Sequence, residues 1–290
     1  MQSATAPLGS YVETWHPEPV VARDTLRPDP AAAVSALLDL PGPAAAAGDP
    51  LPPLWQWFYF LHWPAQRELG PDGHLRDARF LPPVPDRRRM FAGGRCEIAE
   101  PLRLGEPAER ISSLAAVTPK QGRNGELLFV TERQEFRQSG RTCLVEEQDI
   151  VYRSGGSGGG QHPTSVDDHA VPDGTSPWRL RLQPDPTLLF RLSALTANAH
   201  RIHYDDPYCR ETEGYPGLVV HGPLLALLML DVVRRNAPGR PVRSLSFRLH
   251  RPAFAGEHLL AEGAPTATGV RLRTATHREA RHATAEVTFA

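Results

Sequence analysis

Cysteine is scarce in this chain of 290 residues: only Cys96, Cys143 and Cys209 are present, far apart in the sequence and odd in number. Proteins that depend on disulfides for stability usually carry many cysteines in even numbers. We therefore expect no disulfide framework. A chain of this length buries about three-quarters of the surface that its unfolded form exposes, so it can fold without covalent crosslinks.

The sequence also lacks long apolar stretches and an excess of one charge. Its longest apolar run, 224–230, is far shorter than the ~20 residues that a membrane-spanning helix needs. Lys and Arg number 32 against 33 Asp and Glu, for a formal net charge of -1. These values give no support to a membrane or nucleic-acid partner. Residues 1–15 have neither the basic start nor the apolar core of a secretory signal, so we expect a cytoplasmic protein.

Gly, Ser and Pro concentrate in residues 154–176, where no apolar periodicity is present. This composition predicts a flexible linker between an N-terminal half, 1–153, and a C-terminal half, 177–290. The halves share a short repeat, because 101–106 and 252–257 match in Pro, Gly and Glu at the same spacing. Strand-like runs follow both copies in the same order, which indicates duplication.

The predicted secondary structure is mainly strand. Alternating apolar patterns predict strands at 95–99, 110–117, 127–136, 142–152, 244–250, 258–263, 270–276 and 282–289. The apolar pattern of residues 221–236 predicts one long helix. This helix is apolar on nearly every face, so we expect it to be buried. An antiparallel sheet around such a helix is the hot-dog architecture. We predict an α+β protein with a double hot-dog fold, in which two hot-dog halves form one continuous antiparallel sheet around long buried helices.

Two further expectations concern the N-terminal half. Asp29 precedes an alanine-rich run, so we predict that it caps a first helix there. The aromatic, proline-rich segment 51–85 is too apolar for a solvent-exposed loop. We expect it to pack over the junction between the two halves.

A polar turn before the buried helix contains the candidate catalytic residues. Its members are Asn198, His200, His203 and Asp205. An imidazole exchanges a proton near neutral pH, so His203 is the candidate base. Asn198 cannot remove a proton, but its amide can orient a water molecule or a carbonyl. The alternatives are a core or capping role for His203, a turn role for Asn198 and helix capping by Asp205 rather than orientation of His203.

The buried helix begins at His221 and Gly222. A glycine lets a ligand approach the backbone, and the Gly222 N–H can hold a thioester oxygen as it gains negative charge. A tight junction between loop and helix is the alternative explanation. His200, His203 and His221 also suggest a metal triad, but no carboxylate or cysteine completes a familiar zinc spacing, so we expect no metal.

Arginines provide candidate anion contacts. Arg88, Arg89 and Arg201 are suited to a CoA phosphate or to a carboxylate of the substrate. The alternative for the run 87–89 is a solvated charged face. The glycine-rich run 155–160 lacks the lysine and the apolar helix that follow a phosphate-binding loop, so it indicates no nucleotide site.

These residues resemble the motif of the MaoC-type, or R-specific, enoyl-CoA hydratases. That motif runs Ser-Gly-Asp-x-Asn-Pro-x-His and is followed by a His-Gly pair at the hot-dog helix. The resemblance places His203 on the catalytic His, Gly222 on the N–H that holds the thioester oxygen, and His221 beside it. Asn198 stands where the motif has its catalytic Asp, and His200 and Arg201 replace its Asn and Pro.

Within this class, the sequence is similar to hydroxyacyl-thioester dehydratase type 2 and to the mesaconyl- and itaconyl-CoA hydratases. The similarity rests on SALTANAHRIHYD and EGYPGLVVHGPL, and in the N-terminal half on LPPLWQWFYF, ELGPDGH and FLPPVPDRRRMFAGG. It implies a catalytic MaoC-like C-terminal half and a degenerate N-terminal half that shapes the acyl pocket. It implies an acyl-CoA substrate and no cofactor other than the CoA of that substrate. The assembly is left open, with a homodimer as the candidate.

The resemblance implies a hydro-lyase that reversibly hydrates a short, branched dicarboxylic enoyl-CoA such as itaconyl- or mesaconyl-CoA. We hypothesise that His203 is the strong base, that Asn198 positions the water, and that His200, Asp205 or His221 supplies the missing acid/base function. Three alternatives stay open. They are a 3-hydroxyacyl-thioester dehydratase of fatty-acid synthesis, a non-catalytic acyl-CoA-binding hot dog, and a thioesterase on the same fold.

Overall fold

Ten strands form one sheet in which every neighbouring pair is antiparallel, in the order β1-β3-β4-β5-β2-β7-β10-β9-β8-β6. The computed structural model describes residues 6–85, 87–122, 125–154 and 162–290. The strands are β1 (Val20–Asp24), β2 (Arg87–Ile98), β3 (Ala108–Gly122), β4 (Gly125–Gln138), β5 (Arg141–Ser154), β6 (Trp178–Leu182), β7 (Val242–Leu249), β8 (Leu259–Pro265), β9 (Gly269–Ala275) and β10 (Ala283–Phe289). All of the strands that the sequence predicted are present.

The two halves of the chain use the same strand order. Counted from the outer edge, the N-terminal half runs β1-β3-β4-β5-β2, and the C-terminal half runs β6-β8-β9-β10-β7. The repeat found in the sequence follows the innermost strand of each half, and its glycines share a left-handed backbone, with φ of +83° at Gly105 and +93° at Gly256. Equivalent turns at equivalent places support the interpretation of the halves as duplicated.

The seam between the halves is the pairing of β2 with β7, from Gly93 opposite Arg248 to Glu97 opposite Ser244. The aromatic segment packs over this seam, as the sequence predicted. The Trp57 ring lies 6.4 Å from that of Phe91 on β2 and 5.8 Å from that of Phe247 on β7, measured between centroids. The sheet therefore runs without interruption from one half into the other.

The helices are α1 (Pro28–Leu37), α2 (Pro186–Leu195), the single turn α3 (Asp206–Tyr208) and α4 (Gly222–Asn236). Short 3-10 turns occur at Leu8–Tyr11, Trp55–Phe58, Gln66–Glu68 and Arg201–His203, and a π turn occurs at Cys209–Glu213. Helix α4 is buried along most of its length against the C-terminal strands, as its apolar faces predicted. In the described part of the N-terminal half no helix matches α4 in length, so the expectation of long helices in both halves was wrong for that half.

The predicted cap of the first helix was also wrong. Helix α1 begins at Pro28, Arg27 occupies the capping position, and Asp29 lies inside the first turn. Proline has its φ fixed near the helical value and has no N–H that needs a partner, so Pro28 can begin the helix itself.

Part of the predicted linker, residues 155–161, lies outside the described residues. The remainder, 162–176, follows the surface of the C-terminal half. Arg181 Nη1 donates to Pro172 O at 2.8 Å, Gln183 Nε2 donates to Asp168 O at 3.0 Å, and Ser176 Oγ donates to Gly263 O at 2.6 Å. Among the described helices, none is long and apolar enough to cross a membrane.

Candidate functional site

His203 is held in one orientation by the backbone. His203 is the last residue of the 3-10 turn Arg201–His203, and only 7% of the residue is exposed. Nδ1 lies 2.8 Å from Val219 O, which can only accept, so Nδ1 carries the proton in the neutral ring. Nε2 then carries the lone pair, and it has no hydrogen-bond partner among the described residues. The free lone pair leaves His203 able to accept a proton.

His221 stacks on His203. The ring centroids are 3.6 Å apart and the planes are inclined by 15°. His221 is buried and precedes α4, and its Nε2 lies 2.9 Å from Ser193 Oγ on α2. Its Nδ1 is buried and has no partner within the part of the chain that the structure describes. This nitrogen is therefore a buried polar atom whose hydrogen-bonding capacity the described residues do not satisfy.

Both stacked imidazoles favour the neutral form. Burial, and to a smaller extent the neighbouring His200 and His74, lower the pKa of His203 from 6.5 to about 3. Burial and the neighbouring His203 lower the pKa of His221 well below its ordinary value. A neutral imidazole at pH 7 is the form in which a histidine acts as a base.

Asn198 follows the end of α2 and forms a tight polar turn. Its N–H donates to Ser193 O at 2.9 Å, and its side-chain Oδ1 accepts the N–H of His200 at 3.0 Å. This is an Asx turn, the structural role that the sequence analysis left open for Asn198. The amide nitrogen Nδ2 makes no hydrogen bond with the described residues, so it remains available to orient a ligand.

The start of α4 offers a backbone donor. Gly222 is the first residue of the helix, so its N–H has no acceptor within α4, and none of the described hydrogen bonds uses it. Because Pro223 has no N–H, the free donor of Gly222 stands alone at this point of the first turn. A Cβ at position 222 would lie 2.4 Å from Leu249 Cδ1, so close packing also favours glycine.

A turn of the N-terminal half docks onto the polar motif of the C-terminal half. The backbone N–H of Arg201 donates to Asp72 O at 2.9 Å, and Arg201 Nη1 donates to Pro71 O at 3.0 Å. Gly73 approaches the motif so closely that a Cβ there would lie 1.8 Å from Ala199 O. The candidate site is therefore built from both halves, and the N-terminal half contributes this turn in addition to the candidate arginines Arg88 and Arg89.

The docked turn brings Asp72 and His74 to His200. Asp72 Oδ2 lies 2.9 Å from His74 Nδ1, and the His74 ring lies 3.9 Å from that of His200 between centroids. The His200 ring in turn meets His203 edge to face, with centroids 5.6 Å apart. Sequence reasoning missed Asp72 and His74, although they lie in the ELGPDGH segment that carried part of the family resemblance.

The surroundings of this cluster lower the pKa values of His200 and Asp72. Burial, and then the neighbouring His74, lower the pKa of His200 from 6.5 to about 3, while Asp72 acts in the opposite direction. The hydrogen bond from His74 holds the pKa of Asp72 well below its usual range, so this group is a carboxylate at neutral pH. Asp72, His74 and His200 also offer three ligand atoms within 4.8 Å of one another.

Asp205 and Arg201 are occupied with each other. Asp205 Oδ1 accepts the N–H of Tyr208 and thereby caps α3, which is the capping role that the sequence left open. Asp205 Oδ2 accepts from Arg201 Nε at 2.9 Å and from Nη2 at 2.8 Å. The acceptor for His203 is Val219 O, so Asp205 is not the group that orients the His203 ring. The Arg201 guanidinium is likewise held within the protein.

The other two candidate arginines differ in their surroundings. Arg88 lies 3.8 Å from the carboxylate of Glu213. Arg89 is exposed and forms no ion pair with the described residues, yet its charge contributes to the lowered pKa of His200. Of the three candidates, Arg89 is the one whose charge acts on His200, and it also acts on the buried carboxyl of Glu132.

The two best-formed surface clefts lie away from this site. Two clefts, with volumes of about 400 and 580 Å³, are lined by residues of the N-terminal half and contain no member of the histidine cluster. The candidate site is defined by its chemistry. The C-terminal half supplies neutral imidazoles and a free backbone donor, and the N-terminal half supplies a carboxylate.

Solved structures with the same architecture include HtdX and a MaoC-like dehydratase. HtdX of Mycobacterium tuberculosis superposes with a TM-score of 0.65 over 94% of this chain and 100% of its own, at 15% sequence identity. A MaoC-like dehydratase from Phytophthora capsici gives a TM-score of 0.62 over 97% of this chain and 98% of its own, at 13% identity. At such identities the similarity establishes the fold, that of the MaoC-like dehydratases.

Sequence comparison identifies the family within this fold. The chain belongs to the family hydroxyacyl-thioester dehydratase type 2, whose sequence model matches residues 54–255. Mesaconyl-C(4)-CoA hydratase of Chloroflexus aurantiacus is 49% identical over 224 residues, which cover 77% of this chain and 78% of that protein. Hydroxyacyl-thioester dehydratase type 2, mitochondrial, of Schizosaccharomyces pombe is 42% identical over 78 residues, 26% of each chain. The protein is an enzyme of the hydro-lyase class.

Proposed function

We propose that the protein adds water reversibly across the 2,3-double bond of an enoyl-CoA. The observation that carries this proposal is the position of His203, a buried neutral imidazole with a free Nε2, stacked on the residue that precedes Gly222 at the start of α4. A base and a donor for a thioester oxygen thus belong to one cluster. The name of the relative from C. aurantiacus, a CoA hydratase, supports the same reaction.

In this mechanism the Gly222 N–H and the positive end of α4 hold the thioester oxygen. His203 Nε2 takes a proton from water as the water oxygen forms its bond to carbon 3. The electron pair of the double bond moves toward the thioester, whose oxygen takes up negative charge. The proton on His203 then passes to carbon 2, so both hydrogens of the water end in the product. Asn198 positions the water through Nδ2.

The substrate we propose is a short, branched dicarboxylic enoyl-CoA, mesaconyl-CoA or itaconyl-CoA. The mesaconyl-CoA hydratase relative supports this class. A second carboxylate needs a cation near the reacting carbons, and Arg89 is an exposed arginine whose charge acts on His200. No cofactor enters the reaction, because the CoA belongs to the substrate.

A second candidate is a 3-hydroxyacyl-thioester dehydratase acting on fatty-acyl chains. The match to the dehydratase of S. pombe favours it. The chemistry is the same reaction in reverse, so the two candidates differ in the acyl group and not in the catalytic residues. Hydration rates on mesaconyl-, itaconyl- and crotonyl-CoA distinguish them.

We further propose that the arrangement is a double hot-dog, in which the N-terminal half has kept its strands and lost its long helix. The identical strand order of the two halves supports this proposal. Assembly as a homodimer and location in the cytoplasm stay predictions from the sequence.

The decisive experiment measures loss of enoyl-thioester absorbance with the wild type and with His203→Asn. Asparagine can keep a donor toward Val219 O but cannot act as a base. We expect the variant to lose roughly 100- to 10,000-fold in kcat. His250→Asn, which removes an exposed imidazole hydrogen-bonded to Thr284, serves as the control and should stay active. Full activity of His203→Asn would refute the mechanism, and release of free CoA without hydration would indicate a thioesterase.

A further inference from the structure

The reaction leaves a positive charge on a buried imidazole, and the motif of this chain contains no carboxylate to balance it. When His203 accepts a proton it becomes an imidazolium in surroundings that favour the neutral form. The corresponding motif position carries the neutral amide of Asn198. Asp205, the acidic residue closest in sequence to His203, accepts from Arg201 and caps the start of α3 through the N–H of Tyr208.

The carboxylate that does reach the cluster is Asp72 of the N-terminal half. Its Oδ1 accepts the backbone N–H of His74 at 3.0 Å, and its Oδ2 accepts from His74 Nδ1 at 2.9 Å. Both hydrogen bonds fix the His74 ring relative to the carboxylate.

The imidazoles form a continuous series from Asp72 to the start of α4. His74 lies against His200, His200 meets the edge of His203, and His203 stacks on His221. The groups whose charge acts on His200 are His74, Asp72, Arg89 and His221. Among these groups, Asp72 alone is acidic, so it supplies the negative charge that acts on His200.

The docking of the turn makes this arrangement rigid. Gly73 lies against Ala199 O, and two hydrogen bonds from Arg201 hold the carbonyls of Asp72 and Pro71. These contacts therefore hold the Asp72 side chain at a fixed distance from His200. A turn that served only to cover the sheet would need no such close contact with residues 199–201.

We propose that Asp72 and His74 are positioning residues of the hydratase site, in which Asp72 holds His74 against His200 and stabilises the positive charge that His203 acquires. The proposal rests on the proposed hydratase function. It gives the N-terminal half a direct part in the reaction, since that half supplies the charge that Asn198 cannot. Neither Asp72 nor His74 exchanges a proton with the substrate in this role.

The test compares Asp72→Asn with Glu68→Gln in steady-state hydration by the full-length protein. Asparagine at 72 can still accept the His74 N–H, so the turn is retained while the charge is removed. Glu68→Gln removes a carboxylate from the same segment, where Glu68 accepts only the exposed N–H of Ala65. We expect Asp72→Asn to lose roughly 10- to 100-fold in kcat, with KM and melting temperature close to those of the wild type.

His74→Phe and the double variant separate a positioning role from a structural one. Phenylalanine keeps a ring against His200 but cannot donate to Asp72. If Asp72 acts through His74, the double variant loses no more activity than either single variant, because the two residues form one unit. Independent, additive losses would contradict this role.

Other outcomes overturn the proposal in distinguishable ways. An Asp72→Asn variant as active as Glu68→Gln, or one that raises KM alone, would leave the hydratase intact and remove the role of Asp72. Activity of the wild type that is abolished by EDTA and restored by Zn²⁺ would instead make Asp72, His74 and His200 a metal site. A wild type that hydrates no enoyl thioester refutes the proposed function and this proposal with it.

Discussion

The rings of His203 and His221 lie face to face, 3.6 Å apart and nearly parallel. Two cations cannot share this contact, so protonation of either ring opposes protonation of the other. Both rings are also removed from water, and the pKa of each is lowered mainly for that reason. The stacked pair that contains the proposed base is thus also a source of acid sensitivity in the fold.

We expect the free energy of unfolding to fall as the pH falls below about 6.5. Unfolded chains bind protons at histidine near pH 6.5, whereas His203 in the folded protein does so only near pH 3, so acid favours unfolding between these values. A single buried imidazole of this kind contributes about 2 kcal/mol of loss between pH 6.5 and pH 5.

Urea unfolding at a series of pH values measures this slope. The His203→Asn variant should show a shallower dependence on pH than the wild type. His169→Asn, which removes an imidazole that is 94% exposed, should leave the slope unchanged. Equal slopes for all three proteins would contradict the lowered pKa of His203.

Substitution of Gly73 by alanine should prevent the turn of the N-terminal half from docking onto the polar motif of the C-terminal half. Gly73 and Gly48 have nearly the same backbone conformation, with φ of +89° and +86°, but a Cβ at 73 would collide with Ala199 O, whereas nothing lies within 4 Å of one at 48. Both alanine variants carry the backbone strain, roughly 1 kcal/mol, but only Gly73→Ala loses the docking.

Melting temperatures and hydration rates of the two glycine variants provide the measurement. We expect Gly48→Ala to be slightly less stable and fully active. Gly73→Ala should lose most of its activity and more of its stability. Comparable activity in the two variants would mean that the docked turn is not needed for the reaction.

Introducing the aspartate of the MaoC-type motif at position 198 should not improve the enzyme. Asn198→Asp keeps the acceptor for the His200 N–H but replaces the free Nδ2 donor with a second carboxylate oxygen. We expect kcat at or below that of the wild type, because the donor that orients the water is lost. A gain in kcat on any of the three CoA esters would show that the amide is not selected for this substrate.

Arg89 should determine the preference for a dicarboxylic substrate. We expect Arg89→Gln to raise KM for mesaconyl- or itaconyl-CoA by roughly tenfold, as for the loss of one exposed charged contact, and to leave crotonyl-CoA unaffected. Arg95→Gln is the control, since Arg95 lies on the same strand but pairs with Glu147 and Asp149. An equal loss on all substrates would indicate a contact with CoA instead.

The sheet and the long helix were predictable from the sequence because both have short-range periodicity. Alternating residues identify strands, and the apolar faces of 222–236 identify a buried helix without knowledge of its neighbours. The repeat around Gly105 and Gly256 correctly indicated equivalent positions in the two halves. The start of α1 was predicted wrongly because Pro28, Asp29 and Pro30 are all residues that can begin or cap a helix.

The candidate site was only partly predictable, because it joins segments that are remote in sequence. Local spacing brought Asn198, His200, His203 and His221 to attention. Nothing local links Asp72 or His74 to them, since their contact with His200 depends on how the two halves pair. The spacing of Arg201 and Asp205, four residues apart around a short turn, was a signal for their ion pair that our choice of Arg201 as a substrate contact overlooked.

The seam between β2 and β7 has a mechanical consequence. A Cβ at Gly93 would lie 2.3 Å from Phe247 O, so the close approach of the two backbones at this point requires glycine. A seam of paired strands resists rotation of one half against the other. Substrate entry and substrate preference then depend on the loops that connect the strands. These loops can change in evolution while the sheet stays the same.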